Sequence, residues 1–119
     1  MFREKIKVLD CTIRDGGLIN NHDFGHKFVR SVYKALSEAG VDYMEIGYKN
    51  SKKLFPEKDF GTWKFCDDDD IKKVVDGIES QTKVSVMVDV GRVLSRHTAL
   101  NSYPIPEEIT VHRRHTRTI

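Results

Sequence analysis

Asp10-Cys11-Thr12-Ile13-Arg14-Asp15-Gly16 is the stretch on which the fold turns. Lys7 to Ile13 alternates and then runs apolar, the pattern of a buried strand. The strand leads straight into a cation and a carboxylate, Arg14 and Asp15, and Gly16-Gly17 predicts a sharp turn after them. Arg-Asp-Gly alone reads as a surface ion pair before a turn, which contributes little. In a parallel α/β fold the same place, at the carboxyl end of a strand, is where the βα loops gather functional groups.

Downstream, a polar loop (Asn20, Asn21, His22, Asp23) precedes apolar residues at Phe28, Val29, Val32, Tyr33 and Leu36. That spacing is one helical face, and Gly40 supplies its stop. Val41 to Tyr48 reads as a second strand, with Met44 and Ile46 on one face and Tyr43, Glu45 and Gly47 on the other. Lys49 to Cys66 is a long loop with Pro56 and Gly61, whose aromatics (Phe55, Phe60, Trp63, Phe65) are expected to be exposed. The run Asp67–Asp70 invites a metal reading. Because Ile71, Val74, Val75 and Ile78 follow as a stripe, the spacing favours a helix start whose carboxylates satisfy orphan amides and complement the dipole. Lys83 to Val90 is a third strand, close to the continuous apolar run of a parallel sheet. The order β-α-β-α-β implies parallel pairing through right-handed crossovers. A barrel segment and an open sheet both remain open on periodicity alone.

The tail does not match the body. Residues 94–119 contain no lysine, glycine or aspartate, yet hold Arg96, Arg113, Arg114 and Arg117 with His97, His112 and His115. Pro104 and Pro106 break any helix there, and Ile109-Thr-Val-His is a candidate edge strand. The division is therefore 1–93 as the α/β body and 94–119 as an atypical basic tail, disordered or out of the natural reading frame from near Val93. The alternative is a genuine basic arm. His112 and His115 share metal-ligand spacing only on a helix, which nothing there supports.

The chain has 119 residues, too few for a complete eight-stranded barrel of about 250. Its formal charge of +2 balances 20 basic against 18 acidic residues, so no nucleic-acid partner is implied. Cys11 and Cys66 form no disulfide framework or zinc spacing, which makes a reducing cytoplasm the expected location. No stretch approaches the ~20 apolar residues of a membrane span, and the charged opening has no signal-like apolar core.

The Asp-x-Thr-x-Arg-Asp-Gly string resembles the signature of the metal-dependent carbon–carbon lyases and synthases on a TIM barrel. That superfamily includes 3-hydroxy-3-methylglutaryl-CoA lyase, isopropylmalate synthase and 4-hydroxy-2-oxovalerate aldolase. The resemblance covers about residues 5–92 and implies the first three βα units of a truncated TIM (β/α)8 barrel. It also implies a divalent metal, Mn2+ or Mg2+, with Asp15 as a ligand and Arg14 polarising the substrate carbonyl. Such an arrangement suits enolate chemistry, where a cation must face the developing oxyanion. Glu45 matches the glutamate that the family carries at the end of the second strand. Asp10 and Thr12 are expected to support the motif, Asn20, Asn21 or His22 to stand in for a missing base, and Asp89 to lie near the third strand's end. Two positions depart from the family. Leu18 stands where a glutamine or histidine is usual, and the late His-x-His pair is absent.

The implied function is a metal-dependent aldolase acting on a small 2-oxo or hydroxy acid, incomplete in this chain and calling for a homo-oligomer or a completing polypeptide. The loop Gly-Gly-Leu-Ile-Asn-Asn-His and the strand end Glu-Ile-Gly-Tyr-Lys favour the aldolase side of the superfamily. The alternative is a catalytically inactive βα module that binds a partner through the aromatics around Trp63 and the bare third strand. An open-sheet phosphate binder fits least, because G-x-G-x-x-G is missing.

Overall fold

A computed structural model describes residues 6–89 and the strand 109–114. The elements are β1 (Leu9–Asp10), α1 (Thr12–Asn20), α2 (His26–Ala39), β2 (Tyr43–Tyr48), a 3-10 turn (Thr62–Lys64), α3 (Asp68–Val75), β3 (Lys83–Asp89) and β4 (Ile109–Arg114). The strands form one parallel sheet in the order β1-β2-β3-β4. The predicted α/β alternation is present. Ile109–Arg114 is indeed a strand beside β3, while residues 90–108 and 115–119 lie outside the described residues.

The first strand is shorter than its apolar run predicts, and the reason is local. Asp10 accepts hydrogen bonds from the Thr12 amide at 3.1 Å and the Thr12 hydroxyl at 2.8 Å. Such side-chain bonds compete with the strand ladder and begin a helix early. Ile13 therefore lies in α1, fully buried, and not in the strand.

Gly16-Gly17 also departs from expectation. Both lie inside α1 and make no sharp turn. Their role is close approach. A Cβ on Gly17 would sit 2.0 Å from His22 Nδ1, and one on Gly16 would sit 3.1 Å from the Phe24 ring. The turn comes later, where Asn21 and His22 both take positive φ.

α2 buries Val29 and Tyr33, with Val32 and Leu36 packed at the edge, although Phe28 stays half exposed. Gly40 ends it in the left-handed region (φ +74°), donating its N–H to the Leu36 and Ser37 carbonyls. The acidic run does open α3, but no carboxylate caps its amides. Asp67 pairs with Lys52, Asp68 with Lys49 and Asp70 with His26 instead. The helix stops at Val75, so Ile78 reaches the core from beyond it. Arg30 of α2 donates to the Lys73, Val74 and Asp76 carbonyls, which satisfies that end and ties the two helices together.

Two further corrections shape the site. The aromatics of the 49–66 loop are not exposed: Trp63 and Phe65 are buried and Phe55 and Phe60 half-buried. The loop folds back as a strap over the end of β2, with Lys64 near its far end bonded to Asn50 near its start. These aromatics therefore do not offer the exposed surface anticipated around Trp63, and the third strand is not bare, since β4 pairs with it. The second correction is a bulge in β2. Glu45 registers with Ser85 but Gly47 registers with Val86, so Ile46 is the extra residue. Gly47 thus changes face relative to Glu45, because neighbours in register share a face.

Candidate functional site

Arg14 and Glu45 come together, as the motif reading expects. Arg14, early in α1, donates from Nε to Glu45 Oε1 at 2.6 Å, bridging α1 and β2. The same guanidinium bonds Asp15 Oδ1 through an Nη atom. Glu45 is almost wholly buried (side chain 2% exposed), Arg14 is 16% exposed, and Asp15 is 59% exposed. Burial works against the charge on Arg14. The hydrogen bond and attraction of Glu45 outweigh it and hold the guanidinium above its ordinary pKa.

Asp10 and Thr12 support the motif by bonding each other at the helix start. Cys11 sits beside the ion pair, its thiol raised chiefly by burial and opposed by a hydrogen bond with Arg14. Asp89 ends β3, in register with Arg114, and its side chain lies outside the described residues.

His22 does not join Arg14. It lies just past the far end of α1, a helix about 13 Å long at 1.5 Å per residue. There it is 2% exposed, packed edge-on to Tyr48 at 5.3 Å between ring centroids. Burial first, then the Lys64 charge, push its pKa down to about 4. The imidazole is neutral at physiological pH.

Sequence reasoning missed three residues near these groups. Lys64 is buried, its ammonium 4.4 Å from the Phe55 centroid, 5.0 Å from Phe60 and 5.2 Å from Tyr48. The sequence signal was its place between Trp63 and Phe65. Asn50 is buried just beyond β2, and its backbone N–H donates to the Lys64 carbonyl at 3.2 Å. Ser85 is fully buried on the Glu45 face, by register. Nothing in their local patterns marks Asn50 or Ser85.

Among the described residues no three His, Cys, Asp or Glu side chains converge to hold a metal ion. Asp15 offers one exposed hard-oxygen donor, part of it already engaged by Arg14. The Arg14–Glu45–Asp15 group sums one positive and two negative charges, which favours a cation. Even so, one carboxylate is far from the six or so ligands of Mg2+ or a similar ion. The described residues do not by themselves fit a complete metal centre.

No family model matches the chain. Its similarity to known proteins is partial and consistent. Over 48 residues it is 38% identical to a 4-hydroxy-2-oxovalerate aldolase of Geobacillus genomosp. 3, covering 40% of this chain and 14% of that protein. Over 46 residues it is 37% identical to 4-hydroxy-2-oxovalerate aldolase 2 of Salinispora arenicola, covering 39% and 13%. In three dimensions it matches the N-terminal domain of a protein assigned as an aldolase from Bacteroides vulgatus. That match has a TM-score of 0.66 and 29% identity, over 79% of this chain and 30% of the other. The chain resembles the N-terminal part of an aldolase. The aldolase-like stretch spans less than a sixth of the curated relatives' length. Among the described residues no helix is long and apolar enough to cross a membrane.

Proposed function

We propose that the chain carries the opening strands of a (β/α)8 barrel and the arginine centre of an aldolase that cleaves a small 2-oxo acid. The observation that carries this reading is the Arg14–Glu45 pair. A buried carboxylate fixes the plane of a partly exposed guanidinium where β1 gives way to α1. A guanidinium has five N–H donors, so the bonds to Glu45 and Asp15 leave others for a ligand oxygen.

In a 4-hydroxy-2-oxo acid the 4-hydroxyl loses its proton to a base, and the C3–C4 bond breaks as the aldehyde forms. The electron pair ends as an enolate on the C2 oxygen, and protonation at C3 gives the free 2-oxo acid. Arg14 faces that oxygen and stabilises it more as its charge grows. Glu45 is a positioning residue, since it acts through Arg14. Asp15 is the ligand this chain would offer to Mn2+ or Mg2+, whose chemistry when bound is to polarise the same carbonyl.

The test is pyruvate binding followed by calorimetry, because the chain carries only the opening strands of the barrel. Binding weakened at least tenfold by Arg14→Ala and several-fold by Glu45→Gln supports the proposal. Binding unaltered in Arg14→Ala, or absent from the unaltered chain, refutes the role given to Arg14.

A further inference from the structure

The edge of the sheet at β1 has the surface of an interior strand. Val8 and Leu9 are exposed on its two opposite faces, and Ile6, exposed as well, precedes them. Strands of a parallel sheet carry apolar side chains on both faces because both are normally covered. The backbone is bare in the same place. Tyr43 N–H donates to the Val8 carbonyl at 3.0 Å, and Leu9 registers with Tyr43. In a parallel ladder successive residues bond to opposite sides, so the N–H and C=O of Leu9 point away from β2. Among the described residues no strand lies on that side of β1, and none lies beyond β4. An apolar, unpaired edge of this kind is a template for another strand.

We propose that two copies of the chain join edge to edge, β4 of each beside β1 of the other, and close an eight-stranded barrel. The parallel strands β1-β2-β3-β4 are half of the eight that such a barrel requires. A two-fold axis along the barrel keeps all the strands parallel and leaves no free edge, so association stops at the dimer. The charges of the two edges are complementary in this direction. Lys7 precedes β1, and Asp15, 59% exposed, follows it. Glu107 and Glu108 precede β4 in the sequence, and Arg113 and Arg114 end it. A parallel seam therefore sets opposite charges side by side at both ends of the strands. An antiparallel seam between β4 and β1 would oppose like charges at both. The Arg14–Glu45–Asp15 centre stands where β1 gives way to α1, so it borders the seam, and the second copy supplies a wall that one sheet leaves out.

The dimer rests on the barrel reading proposed above. Its test needs neither ligand nor metal, so its failure leaves the binding test of Arg14 as it stands. Sedimentation equilibrium of the full chain should give twice the mass of one chain and no larger species as concentration rises. A monomer at every concentration overturns the proposal. Growth beyond the dimer overturns it too, because the edges would then join without closing. Leu9→Pro removes the N–H aimed at the seam and none that β2 uses, and proline is accepted on an edge strand. That variant should keep the circular dichroism of the unaltered chain while its dimer dissociation constant rises at least tenfold. A dimer equally tight in Leu9→Pro overturns the seam. In the unaltered chain, the Leu9 amide should exchange with deuterium at least tenfold more slowly in the dimer than in the diluted monomer. Equal exchange in the two overturns the proposal without recourse to any variant.

Discussion

The two ends of α1 handle buried polarity in opposite ways. At its start, Arg14, Glu45 and Asp15 satisfy one another, and the buried carboxylate of Glu45 has its charge answered at 2.6 Å. Just past its end, His22 and Asn50 are as deeply buried, yet His22 Nδ1 and both Asn50 amide atoms have no partner. The first arrangement fixes a geometry; the second holds hydrogen-bonding capacity in reserve. Both depend on β2, which supplies Glu45 within the strand and Tyr48 at its end. One helix and one strand therefore border two polar regions, one satisfied within the chain and one not.

The largest expected effect comes from closing the space that the strap needs. A Cβ on Gly47 would lie 2.2 Å from the Trp63 carbonyl oxygen, which is backbone and cannot rotate away. Gly47→Ala should cost about 4 kcal/mol in a urea titration, and a change under about 1 kcal/mol would show that the strap does not depend on it. At the arginine centre, Glu45→Ala leaves a largely buried guanidinium with Asp15 and the Cys11 thiol and should cost about 3 kcal/mol. A loss no greater than that of a surface pair would mean that Asp15 and Cys11 suffice.

The His22 end gives a pH signature that the arginine end lacks. In the folded chain His22 titrates at about 4, against an ordinary 6.5. As pH falls through 6.5 the unfolded chain takes up the proton first, so stability declines between about 6.5 and 4 and is level on either side of that window. The loss attributable to His22 should be about 3 kcal/mol, seen as a pH slope in the unfolding midpoint that His22→Gln flattens. A slope unchanged by that substitution would contradict the burial of the ring. The smallest effect belongs to the strap's exposed ion pairs. Lys52 bonds Asp67 at 2.6 Å and Glu57 at 3.0 Å from a mostly solvated position. Lys52→Ala should change stability by less than about 1 kcal/mol.

Much of the arginine centre was legible in the sequence, because its parts are adjacent letters and one strand-end glutamate. Arg14 and Asp15 announce themselves as charges after an apolar run, and Glu45 lies in a strand that its alternation reveals. The bulge at Ile46 was not legible, since register is a relation between β2 and β3 and no single strand encodes it. The Asp10–Thr12 bonds turned a predicted strand end into a helix start, a competition that hydrophobic period does not register. Gly16-Gly17 has two physical uses, left-handed turning and close approach, and the letters are the same for both. The second polar region was hidden for a similar reason. His22, Asn50 and Lys64 sit in polar or loop-like stretches, and only the fold-back of the strap buries them together.

In the function proposed for this chain, Arg14 is the group that binds the substrate oxygen. The most direct measurement is calorimetric titration with oxalate, a planar dianion shaped like the pyruvate enolate, in the presence of Mn2+ for the unaltered chain and Arg14→Ala. Binding by the unaltered chain, weakened at least tenfold in Arg14→Ala, is the predicted result. Equal affinity in the two proteins, or no oxalate binding at all, would contradict it.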